Sequence, residues 1–70
     1  MLRTWVVYDH PLDDPRHFVA RLWHNATPTD RTMRDSDLVA LRLRIRKAAP
    51  GVMRFTRAEN DDPKILEVWL

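Results

Sequence analysis

Apolar and polar residues alternate or cluster in five distinguishable stretches along the chain. Residues 3–8 hold Trp5, Val6, Val7 and Tyr8, the β-branched and aromatic content of a strand. Asp9-His10-Pro11 ends that stretch, because a residue before proline avoids the helical region and proline donates no ladder bond. Residues 18–24 fit two periods. With Asp14-Pro15 as a helix start, Phe18, Val19, Leu22 and Trp23 share a helical face. As a strand, Phe18, Ala20 and Leu22 face one way and Val19, Arg21 and Trp23 the other, and periodicity alone does not separate the two. Residues 25–34 are polar, contain Pro28 and read as a loop.

Residues 35–49 carry the clearest helical signal. Asp35 or Ser36 suits the cap, Asp37 the positive end, and Arg46 and Lys47 the negative end, with Pro50-Gly51 as the stop. Leu38, Leu41, Ile45, Ala48 and Ala49 fall within a wedge of about 100°, with Val39 and Leu43 outside it on the solvent side. Residues 52–57 read as a third strand, 58–63 as an acidic turn and 64–70 as a fourth strand. The expected architecture is one small α+β domain over residues 1–70: a four-stranded, mostly antiparallel sheet with one helix, in the order β-β-α-β-β.

Several short motifs carry a resemblance. Tyr8-Asp9-His10-Pro11, then Phe18-Val19-Ala20-Arg21 with Trp23, then Asp61-Asp62-Pro63 with Ile65, Glu67, Val68 and Trp69, resemble a group of small bacterial proteins without an assigned activity. The resemblance implies an extended second segment, which favours the strand reading of residues 18–24. It implies no reaction, ligand or cofactor.

Composition narrows the function further. Seventy residues without cysteine exclude a disulfide staple and a thiolate zinc site, and the single glycine excludes a glycine-rich phosphate loop. No cofactor is expected. The apolar run of residues 5–8 is too short for a signal core or a membrane span, so a cytoplasmic protein with no membrane partner is the expectation, and the Asn25-Ala26-Thr27 glycosylation match carries little weight.

The net charge is +2, yet residues 38–58 contain six basic residues and no acidic one, leaving −4 for the rest. The molecule is therefore dipolar. Val39, Arg42, Leu43, Arg46, Arg54 and Arg57 form the candidate binding set for an acidic protein partner. Arg42, Arg46, Arg54 and Arg57 are also the residues a nucleic-acid binder would use. His10, His17 and His24, near Asp9, Asp13 and Asp14, are a candidate metal set, although in a strand the seven-residue spacing puts His17 and His24 on opposite faces. Asp9 and His10 could pair as acid and base only across a turn. No nucleophile stands out.

One helix covers one face of a sheet, yet strands 1 and 4 are apolar on both sides. Trp5 and Val7 oppose Val6 and Tyr8, and Ile65 and Trp69 oppose Leu66, Val68 and Leu70. A face left open would expose a large apolar patch. A homodimer with Trp5, Val6, Tyr8 and Trp69 in its interface is therefore the leading expectation, and a non-catalytic module acting through protein association the leading function.

Overall fold

A computed structural model describes residues 2–56 and 62–70. The elements are β1 (Arg3–Asp9), β2 (Phe18–His24), β3 (Thr27–Asp35), α1 (Leu38–Ala48), β4 (Arg54–Thr56) and β5 (Ile65–Trp69). The five strands form one antiparallel sheet in the spatial order β3-β2-β1-β5-β4. The chain is thus α+β, with one helix and five strands among the described residues where four strands were expected.

The additional strand is β3, within the stretch expected to be a loop. It pairs with β2 from Phe18↔Asp35 to His24↔Thr27 across a two-residue turn, with Asn25 at φ 55, a conformation asparagine tolerates. β3 is an edge strand, so Pro28 removes no bond that a central strand would need. A register shift between Arg21 and Trp23 is bridged by side chains. The Thr29 hydroxyl donates to the Leu22 carbonyl at 2.7 Å, and Arg21 Nη1 donates to the Thr29 carbonyl at 2.7 Å.

Residues 18–24 are a strand, as the resemblance implied. Asp14-Pro15 starts no helix; it lies in two consecutive turns, closed by Asp14 N–H to the Pro11 carbonyl and His17 N–H to the Asp14 carbonyl. Residues 57–61, which include Arg57 and most of the acidic turn, lie outside the described residues.

The helix is shorter than residues 35–49, and its cap differs from the expected one. Asp37, in extended conformation, accepts a bond from the Val39 N–H, while Asp35 accepts from the Asp37 N–H. The cap follows from where the chain leaves β3: Asp35 still belongs to the strand and makes an Asx turn, so the carboxylate two residues on meets the free helical donors. At the other end Gly51 adopts φ 90, and the Val52 N–H bonds back to the Ala49 carbonyl.

Trp5, Val7, Ala20, Leu22, Leu41, Ile45 and Trp69 form the core between helix and sheet. Phe18, Met33, Leu38, Ala49, Val52 and Leu66 pack around it, whereas Ala48 is exposed. In β5 the register shifts opposite Val7 and Tyr8: Val7 pairs with Glu67, but Tyr8 pairs with Ile65. That one-residue bulge sends Leu66 to the core and Ile65 to the far face, the reverse of strict alternation.

Candidate functional site

The three histidines do not converge. His10 follows β1 and His17 precedes β2, while His24 ends β2, about 20 Å from His17 at the rise of a strand. His10 Nδ1 lies on Asp9 Oδ1, and the turn that allows this places His10 at φ 48, with its ring against the edge of Phe18 at 4.6 Å. His17 Nδ1 lies 2.7 Å from Asp14 Oδ1, and Arg34 Nη1 is 3.1 Å from Asp14 Oδ2. The hydrogen bond from His17, reinforced by the charge of Arg34, holds the Asp14 carboxyl below its usual range. His10 and His17 thus each serve a local turn. Among the described residues, no group of three or more His, Asp or Glu side chains is placed to hold a metal ion.

The basic set divides between the inside and the outside of the molecule. Arg42 was expected on a solvated binding face; instead it turns inward to Glu67, donating from Nη2 to Oε1 at 2.7 Å and from Nε to Oε2 at 3.1 Å. Arg54 Nη1 lies 3.6 Å from Oε1 of the same carboxylate, and the Trp69 indole donates to Oε2 at 2.7 Å. Glu67 is only 2% exposed. Burial alone would raise its pKa, but the bonds from Arg42 and Trp69 and the charges of Arg42 and Arg54 outweigh burial and bring the carboxyl below its ordinary value. The Arg42 pKa is raised by the same bond.

Glu67 was missed as a key residue at the sequence level. Its signal was a single acid inside an otherwise apolar strand, a pattern that calls for a buried cation. Of the remaining set, Arg46 lies over Trp69, 5.1 Å from the ring centroid. Arg44 is tied to the Arg34 carbonyl at 2.8 Å. Val39 and Leu43 project to solvent, 61% and 56% exposed.

The expected dimer set also divides. Trp5 and Trp69 face the helix and are buried in the core, so neither is available to a partner. The pairing is what puts them there: Trp5 opposes Leu22 and Trp69, all on the helix side. Val6 and Tyr8 point to the other face, where Val6 pairs with Val68 and Tyr8 with Val19 and Ile65, but Val6 is itself buried, so of the expected set only Tyr8 is part-exposed.

Among the described residues, no helix covers that far face. By register it presents Val6, Tyr8, Val19, Arg21, Trp23, Val68 and Phe55. Met53 and Leu70 exchange both backbone bonds beyond the end of the β4–β5 ladder and alternate to this face, as Leu2 does ahead of Thr4. Pro11 and Asp13, from the segment after β1, line with Tyr8, Val19 and Arg21 an open pocket of about 210 Å³, and Val6 and Val19 on this face are buried. Leu2, Met53, Phe55 and Leu70 stand 54%, 65%, 46% and 46% exposed. The sequence placed Leu70 on this second face but not Met53 and Phe55, whose positions follow from β4 pairing with the end of β5.

No family model, curated protein or solved structure matches the chain. No helix among the described residues is long and apolar enough to cross a membrane.

Proposed function

We propose that the chain is a non-catalytic association module whose open sheet face receives a second copy of itself. The observation that carries this reading is the sorting of exposed apolar side chains. Leu2, Met53, Phe55 and Leu70 are four of the seven large exposed apolar residues in the described part of the chain, and all lie on the face without a helix. Isolated exposed apolar residues are ordinary, but four on one face beside Val68 and Tyr8 make a contiguous patch of the kind that marks an interface.

Five strands of three to nine residues at about 4.8 Å spacing give the face a footprint of roughly 24 by 20 Å. That is smaller than the ~800 Å² per partner of a standard interface, so the dimer is expected to be a weak one that dissociates on dilution. A chain of 70 residues also gains from such burial, because small domains bury too little surface alone. A two-fold axis near β5 would set the apolar β4–β5 halves against each other and leave Arg21 and Arg34 at the rim. The nucleic-acid reading is weaker, since Arg42 and Arg54 are engaged by Glu67.

Light scattering during size exclusion tests the proposal with Phe55→Asp. The parent is expected at twice 8.4 kDa and the variant at 8.4 kDa with its cooperative unfolding intact. A parent and variant of identical mass would overturn it.

A further inference from the structure

The outer face of α1 lies across the sheet from the proposed self-association face, and its chemistry is different. Val39, Leu43, Arg46 and Lys47 stand at spacings of four, three and one, and so form a single stripe along the helix. The two apolar members are more than half exposed. Leu38–Ala48 contains four basic residues, Arg42, Arg44, Arg46 and Lys47, and no acidic one. Arg42 turns inward, but Arg46 and Lys47 remain at the exposed C-terminal end of the stripe. Stacking on Trp69 fixes where the Arg46 guanidinium sits, so part of the ordering cost of binding is already met before a partner arrives.

We infer that this stripe is the docking site for an acidic amphipathic helix of another protein. Leucine-type side chains would cover Val39 and Leu43, and carboxylates would meet Arg46 and Lys47. Three features favour this partner. Two such stripes repel each other, which disfavours helix-to-helix self-pairing. A phosphate backbone gains nothing from Val39 and Leu43, the N-terminal half of the stripe. An apolar strip only two residues long is too narrow to lie in a bilayer surface. The inference does not depend on the dimer, because the stripe and the open sheet face are on opposite sides of the molecule.

Fluorescence anisotropy with a labelled helical peptide, glutamate-rich and with leucines at spacings of three and four, tests it on the full chain. Saturable binding in the micromolar-to-millimolar range is expected. It should weaken by roughly tenfold or more in Leu43→Glu and again in Lys47→Glu, and fall as salt rises. Both substitutions are at exposed positions, and a melting temperature close to the parent's confirms folding. Phe55→Asp should bind the peptide like the parent, which separates this inference from the dimer. A flat titration would overturn the proposal. So would equal binding of a peptide whose leucines are replaced by serine, or binding of a labelled single-stranded oligonucleotide that Leu43→Glu leaves unchanged.

Discussion

Arg42 on the helix and Glu67 on the last strand meet in a two-bond fork, Nη2 to Oε1 at 2.7 Å and Nε to Oε2 at 3.1 Å. The pair joins residues 25 apart in sequence and ties α1, which packs over β2 and β3, to β5. Removing one partner strands the other. Arg42→Met should cost about 3 kcal/mol, the low end for a broken buried pair, because the arginine keeps some contact with water. Adding Glu67→Gln, which keeps an acceptor for the Trp69 indole, should recover part of that loss. Chemical denaturation of the two variants checks both values.

The same carboxylate predicts an acid limit. The folded pKa of Glu67 lies below its unfolded value, so its contribution to stability is complete above about pH 4.5 and is lost as pH falls through the folded value. Asp14, held down by His17, acts in the same direction. The melting temperature should therefore decline below pH 4.5, with a shallower decline in Glu67→Gln. Equal slopes for parent and variant would assign the acid sensitivity elsewhere.

The helix cap gives a graded test. Asp37→Ala should destabilise by about 1 kcal/mol, since its side chain holds the Val39 N–H. Ser36→Ala should stay within about 0.5 kcal/mol, as expected at an exposed position away from the cap. The reverse ranking would place the cap one residue earlier.

Deleting Trp69 and Leu70 should abolish cooperative unfolding. Trp69 is buried in the core, donates to Glu67 and carries Arg46 on its ring. Burial of one large side chain contributes roughly 1.5–3 kcal/mol, and the lost bond to Glu67 adds to that. A truncated chain that melts within a few degrees of the parent would show that the last strand is dispensable.

What could be read from the sequence was what local pattern controls. The helix, its stop at Pro50-Gly51 and the strands at residues 3–8 and 64–70 follow from periodicity and turn chemistry. β3 did not, because an edge strand is allowed to be polar and to hold Pro28; its β-branched Thr27, Thr29 and Thr32 were the only trace. The faces of Ile65 and Leu66 were inverted by a bulge, which alternation cannot foresee. Arg42 looked like a surface cation because its partner lies 25 residues away, and Trp5 and Trp69 looked available to a second copy because strand periodicity does not say which face the helix covers.

The claim that two copies meet through the open sheet face is tested most directly by sedimentation equilibrium of the unmodified chain across a micromolar concentration series. The expected result is a species of twice 8.4 kDa that dissociates on dilution, with a melting temperature that rises with concentration. A single 8.4 kDa species at every concentration, with an invariant melting temperature, would contradict it.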